Sequence, residues 1–171
     1  FVISGYLISS LIFQELDKNR NFSFLNFYER RARRILPALI FVIIVCLPFS
    51  WVFILPTSFI DFAKSILFSL GFSSNIYFYI TGLEYGAESG LLKPLLHTWS
   101  LAVEEQFYLF FPLIFLFIFK FFYKFKFQII ALIIITSLSI AIYFSILNSS
   151  LNFYFIFSRI WEILAGTLIY F

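Results

Sequence analysis

The segment PLLHTWSLAVEEQFYLFFP, residues 94–112, carries the only histidine of the chain, His97, and the adjacent glutamates Glu104 and Glu105. It runs directly into an uncharged apolar stretch. Imidazole, hydroxyl and carboxylate are the groups that pass protons near neutral pH, which makes this segment a candidate for general acid–base work. If a helix starts near Pro94, a residue suited to a first helical turn, then at about 100° per residue His97, Ser100, Glu104 and Tyr108 share an arc of roughly 80°. Glu105 then lies to one side and Trp99 faces away. If the helix starts only at Ser100, His97 is a loop residue and the polar stripe shortens. The competing reading is anchoring, with His97 and the glutamates in the headgroup zone and Trp99 and Tyr108 in an aromatic belt. Anchoring explains a single glutamate well. The full set favours function, because ionisable residues within a membrane are costly and mark sites or pathways.

A second constellation is FYERRARRILP, residues 27–37, with four arginines in five positions. Arg31 and Arg34 are spaced to share one helical face, where two guanidinium groups could clamp a phosphate or pyrophosphate. Orientation of the next span and attraction to anionic lipid, worth about 1 kcal/mol per residue, explain the cluster equally well on spacing alone. A third is SRIWEIL, residues 158–164, in which Arg159 and Glu162 are three apart and form either a site or a local ion pair. Ser4 and Gly5 read as a small-residue packing surface between helices. One histidine and one cysteine, Cys46, cannot assemble a zinc site from its usual ligands, nor can a lone cysteine close an internal disulfide. No Gly-rich phosphate loop and no G-x-S-x-G elbow is present.

The elements that must position these residues are membrane spans. The 171 residues are 62% hydrophobic and 12% charged, about half the charge usual in a soluble domain. The mean hydropathy is +0.98. The net charge of +3 is small, and its basic residues abut spans, so a nucleic-acid surface is not indicated. The 28 phenylalanines exceed what interfacial belts require, which a compositional bias of the genome explains as readily as function does. Spanning takes about 20 largely apolar residues, which predicts spans over residues 35–55, 127–147 and 101–119, the last with Glu104 and Glu105 at or below the interface. Residues 65–83 are uncharged but interrupted by Gly71, Ser73, Ser74 and Asn75. Residues 1–13 and 160–171 read as truncated spans. The expected fold is therefore an all-α, polytopic transmembrane helix bundle of about six hydrophobic elements, the first and last truncated.

Between the spans, residues 14–34 hold the densest positive cluster and are expected to form a cytoplasmic loop under the positive-inside rule. Residues 56–61 are expected to form a short turn. Residues 81–96 place Glu84, Glu88 and Lys93 around three glycines, and residues 120–126 form a second basic loop. Three full crossings between the two basic loops would put Lys120, Lys124 and Lys126 on the wrong side. The interrupted segment 65–83 is the candidate for an element that does not fully cross, since broken helices are tolerated where they line a cavity.

Four blocks in order, FVISGYLI, FYERRARRILPAL, SNIYFY with PLLHTWSLAVEEQFYLFFPL, and YFIFSRIWEILAGTL, extend over nearly all the chain. With them the sequence resembles the acyltransferase-3 family of integral membrane O-acyltransferases, which acylate, usually acetylate, bacterial surface carbohydrates such as lipopolysaccharide. The resemblance implies a multi-pass protein of the bacterial inner (plasma) membrane. Its donor would be acyl-CoA, most simply acetyl-CoA, as a substrate, with no bound cofactor. Its acceptor would be a hydroxyl of an extracytoplasmic glycan or glycolipid. The R-x-x-R pattern of the family falls on Arg31 and Arg34, which would hold the phosphates of the donor. His97, Glu104 and Glu105 would serve catalysis, Trp99, Ser100 and Tyr108 would shape the cavity, and Arg159 with Glu162 would fix a helix against it. The first helix of the family carries a basic residue followed eleven positions later by an essential histidine. That helix would precede Phe1, so residues 1–171 are expected to be a partial membrane acyltransferase domain, with a C-terminal portion beyond Phe171. The SRIWEILAG ending resembles the branch whose members often carry an SGNH-type domain after the membrane region. The main rival is a membrane transporter that carries an acyl donor or glycolipid without making a bond; a second is a purely structural cluster of spans.

Overall fold

The computed structural model describes residues 1–19, 22–83 and 93–170, with side chains throughout except at 17–19. Glu84 and Glu88, expected between two spans, lie outside the described residues. Among these residues the chain is helical with no strand. The elements are α1 (Val2–Asn19), α2 (Phe24–Phe53), α3 (Pro56–Leu70), α4 (Ser74–Gly82), α5 (Thr98–Phe121), α6 (Lys126–Leu147), α7 (Ser149–Tyr154) and α8 (Ile160–Tyr170). Single 3-10 turns at Tyr123–Phe125 and Ile156–Ser158 join neighbouring helices. Three segments, Phe24–Phe53, Thr98–Phe121 and Tyr123–Leu147, are long and apolar enough to cross a membrane. The large side chains of the first and third of these face mostly outward, as with Trp51 at 74% exposed and Ile146 at 82%, while the second buries more of its length. Surface of that kind requires a lipid environment, and this is a membrane protein.

Helix ends differ from expectation at three places. The expected loop over residues 14–34 is mostly helix, since α1 runs to Asn19 and α2 starts at Phe24. Ser23 caps α2 by accepting from the Asn26 N–H at 3.4 Å, and Glu29 pairs with Arg33 one turn on, so the arginine cluster is a helical face. The expected turn at residues 56–61 is instead the start of α3, with Pro56 in the first-turn position where its missing N–H costs nothing. The second basic loop shrinks as well, because Lys120 lies in the last turn of α5 and Lys126 opens α6. The interrupted segment does break: at 1.5 Å per residue, the 15 residues of α3 and 9 of α4 reach only about 22 and 14 Å, against about 30 Å of hydrocarbon.

The chain divides into two compact units, residues 1–22 with 104–171, and residues 23–103. In the first, α1 lies against α8 at backbone distance. Gly5 abuts the Ile163 carbonyl and Gly166 abuts the Val2 carbonyl, with no room at either for a Cβ. Between them the Ser9 hydroxyl donates to Thr167 Oγ1 at 3.0 Å, and Ile8, Ile12 and Ile163 are buried around the contact. Of the expected small-residue surface at Ser4 and Gly5, Gly5 is used in this way. Beyond it, Phe13 stacks on Tyr170 and meets Phe115 and Phe119 edge-on at 5.1–5.2 Å.

In the second unit, α3 turns into α4 through a Schellman-type reversal. The Phe72 N–H donates to the Ser69 carbonyl and the Ser73 N–H to the Phe68 carbonyl. The left-handed position in this motif usually falls to glycine, but here Phe72 holds it at φ 49. The two helices are then held together by Phe68 stacked on Tyr77 at 4.8 Å, and by the Tyr77 hydroxyl donating to the Asp61 carbonyl.

Candidate functional site

The histidine stands outside the helix, as the later-start alternative has it, although α5 begins two residues before Ser100, at Thr98. Residues 94–97 form tight turns, with Leu96 N–H on the Lys93 carbonyl, Thr98 N–H on Leu95 and Trp99 N–H on Leu96, and α5 proper starts at Thr98. His97 is therefore the last turn residue. Its imidazole is exposed, and its carbonyl accepts from the Ser100 hydroxyl at 3.2 Å. Trp99 and Ser100 are half-buried on the first turn of the helix. The unbroken α5 carries Glu104, Glu105 and Tyr108 onward at helical spacing. Glu104 is half-buried and makes no hydrogen bond or ion pair among the described residues, while Glu105 is half-buried and Tyr108 is buried edge-on to Phe107.

A feature that sequence reasoning missed lies beside His97. Thr98, Ser69, Ser74 and Asn75 are all buried, among largely apolar neighbours such as Phe62, Phe78 and Leu95 in the same unit. Thr98 Oγ1 lies 2.9 Å from Ser69 Oγ, 3.0 Å from Ser74 Oγ and 2.7 Å from the Leu95 carbonyl oxygen. A hydroxyl has one proton to give and two lone pairs, so these three contacts saturate Thr98. The two serines flank the α3–α4 break, and the reversal at Phe72 turns both toward the same threonine. The signal was present in the run Gly71–Phe72–Ser73–Ser74–Asn75, since polar groups buried in a membrane protein need partners; the identity of the partner was not.

The arginines sort by environment. Arg31 and Arg34 lie three apart on α2, as the R-x-x-R spacing requires. Arg31 is half-buried with its guanidinium 6.0 Å from the Phe27 ring centroid, whereas Arg34 is exposed. Arg33 is tied to Glu29 at 2.7 Å and is largely exposed. In the other unit Arg159 and Glu162 form an ion pair at 2.7 Å, with side chains 25% and 19% exposed, so the local-pair reading of SRIWEIL is correct as geometry. The Arg159 guanidinium also lies 5.6 Å from the Phe153 ring centroid. Its surroundings are polar at the backbone: Ser137 donates to the Phe157 carbonyl and accepts from the Trp161 N–H, and Ser158 donates to the Asn152 carbonyl. Nearby, α5, α6, α8 and the Ile156–Ser158 turn line a partly open apolar pocket of about 440 Å³ whose one polar lining residue is Gln106, next to Glu105 in sequence. Among the described residues no group of three or more His, Cys, Asp or Glu side chains could hold a metal.

Comparison with known proteins gives a consistent picture. The family model described as an acyltransferase domain matches residues 1–171. O-acetyltransferase OatA of Staphylococcus aureus is 40% identical over 114 residues, which cover 67% of this chain and 19% of that protein. Peptidoglycan O-acetyltransferase OatA of Listeria monocytogenes is 38% identical over 112 residues, 66% of this chain and 18% of that protein. An uncharacterized protein of Haemophilus influenzae is 42% identical over 114 residues, 46% of its length. The chain thus spans about a fifth of the length of the OatA relatives. No solved structure matches.

Proposed function

Because the chain belongs to the acyltransferase-3 family, whose model covers all of residues 1–171, we propose that it forms part of a membrane O-acyltransferase. The enzyme moves an acetyl group from cytoplasmic acetyl-CoA to a hydroxyl of an extracytoplasmic glycan in the bacterial plasma membrane. In that reaction the acceptor oxygen bonds to the acyl carbon, the C–S bond of the thioester breaks, and the acceptor proton ends on the released thiolate. His97, with Glu104 or Glu105, carries or steers that proton, either directly or by orienting a histidine elsewhere in the enzyme. Arg31 and Arg34 hold the donor phosphates, a task that suits one half-buried and one exposed guanidinium on a common helical face. Trp99, Ser100 and Tyr108 shape the acyl-transfer site around His97 and the glutamates, distinct from the apolar pocket described above, and the Arg159–Glu162 pair fixes the start of α8.

The observation that carries this reading is the match along the whole chain, reinforced by relatives named as O-acetyltransferases. The Listeria relative's name makes peptidoglycan the first acceptor to try. The broken α3–α4 element supports a second reading, transport of an acyl donor or glycolipid without bond chemistry. Membranes containing the full-length protein and labelled acetyl-CoA separate the two. Label transferred to glycan by wild type, and reduced at least tenfold by Arg31→Ala and Glu104→Gln, supports the enzyme and its site. Equal label in all three removes the site assignment, and no label in any favours transport.

A further inference from the structure

We infer that the buried hydroxyl cluster of Ser69, Ser74 and Thr98 is the device that sets the position of His97, with Thr98 as its positioning residue. The inference rests on the proposed role of His97 and goes beyond it by naming what holds that side chain. His97 is exposed, and among the described residues its ring makes no hydrogen bond. What holds the residue is backbone: its N–Cα–C unit sits between Leu95, whose carbonyl the Thr98 hydroxyl contacts at 2.7 Å, and Thr98 itself. Thr98 is 3% exposed and is gripped from two sides, by Ser69 at 2.9 Å and Ser74 at 3.0 Å. Those serines belong to different helices, α3 and α4, which meet at the left-handed Phe72.

The cluster therefore ties the turn carrying His97 to two helices at once, and it does so in a buried setting where a lost partner is not replaced by water. A strained reversal held by its surroundings is the type of feature that accompanies a functional constraint. Without it, α3 would continue in a straight line past Ser69 and could not present both serines to one threonine. A second hydrogen bond, from Ser100 to the His97 carbonyl, secures the turn on its other side.

The test uses the full-length protein in membranes and measures acetyl transfer with Thr98→Val, Thr98→Ser and His97→Gln. Valine keeps the shape of threonine and removes the hydroxyl. With His97 released from position, kcat falls roughly 10- to 100-fold while KM for acetyl-CoA stays within about twofold, as expected when a catalytic group drifts by about an ångström. Thr98→Ser restores the hydroxyl and returns kcat to within about threefold of wild type. Wild-type kcat in Thr98→Val, or an equal loss in Thr98→Ser, overturns the inference, as does a change in KM that matches the change in kcat. Should Thr98→Val not accumulate in the membrane, Ser74→Ala removes one contact and is read in the same way, with an expected three- to tenfold fall in kcat alone. His97→Gln at full activity overturns the role of His97 and this inference with it. An inactive His97→Gln beside a fully active Thr98→Val overturns the positioning alone.

Discussion

The contact between α1 and α8 can be broken by adding a single methyl group. In Gly166→Ala the new Cβ would overlap the Val2 carbonyl oxygen and lie 2.8 Å from both the Val2 carbonyl carbon and the Tyr6 nitrogen. All three are backbone atoms, so no side chain can rotate away, and the helices must part by well over an ångström to reach ordinary van der Waals separation. Overpacking of this kind costs about 1–3 kcal/mol. Parting the helices also stretches the 3.0 Å Ser9–Thr167 bond, and such a bond is worth about 0.6 kcal/mol on average between membrane helices. Together these give about 2–4 kcal/mol, or a fall in melting temperature of roughly 4–16 °C for a domain of this size. Thermal unfolding in detergent measures it, and disulfide formation between Ser9→Cys and Thr167→Cys in a Cys46→Ser background reports the local separation. Gly82→Ala is the control, since a Cβ there meets nothing within 4 Å among the described residues. It should be neutral or slightly stabilising, by up to about 1 kcal/mol from helix propensity. If Gly166→Ala melts with wild type and with Gly82→Ala, and crosslinks as fast, the close-packing argument is wrong.

Gly5→Ala meets the Ile163 carbonyl in the same manner and should lower the melting temperature by a similar amount in the same assay. Glu162→Gln removes the charge facing Arg159 in a pair that is mostly buried, so a loss of about 1–3 kcal/mol by thermal unfolding is expected; a variant as stable as wild type would show the pair to be incidental. Arg33→Ala breaks a largely exposed i, i+4 pair and should change stability by no more than about 0.5 kcal/mol while leaving KM for acetyl-CoA unchanged. Arg31→Ala, by contrast, should raise that KM at least tenfold, and the difference between the two arginines is the measurement that separates donor binding from general attraction to anionic lipid.

Legibility in the sequence followed how local each feature is. The α6 boundaries could be read to within a residue because the uncharged run 127–147 is bounded by lysine on one side and asparagine on the other. The α2 start could not, because a hydropathy reading stops where the arginines begin, although Ser23 and the Glu29–Arg33 spacing are helix signals in their own right. The interruption of segment 65–83 was visible in Gly71, Ser73, Ser74 and Asn75. Its consequence was not, because Ser69 and Ser74 meet a threonine 29 and 24 positions further along, and no periodicity encodes such a pairing. His97 was ambiguous for a comparable reason: whether it sits in helix or loop depends on the buried anchoring of its neighbour. Gly5 could be recognised as a packing residue from its size, yet its partner Ile163 is a tertiary fact.

The unit made of residues 1–22 and 104–171 has a consequence in time. The Ser9 and Thr167 hydroxyls that meet at its centre are 158 positions apart. At about 5–20 residues per second of synthesis, α1 emerges roughly 8–30 s before α8 exists. During that interval the bare backbone around Gly5 faces lipid or some temporary partner, while the intervening unit, residues 23–103, can already complete its own hydroxyl cluster once Thr98 emerges. The order of assembly is thus written into the chain, with the middle closing first and its two flanks last. A premature stop before Ile163 should leave α1 without its partner and expose it to membrane proteases that the completed unit would resist.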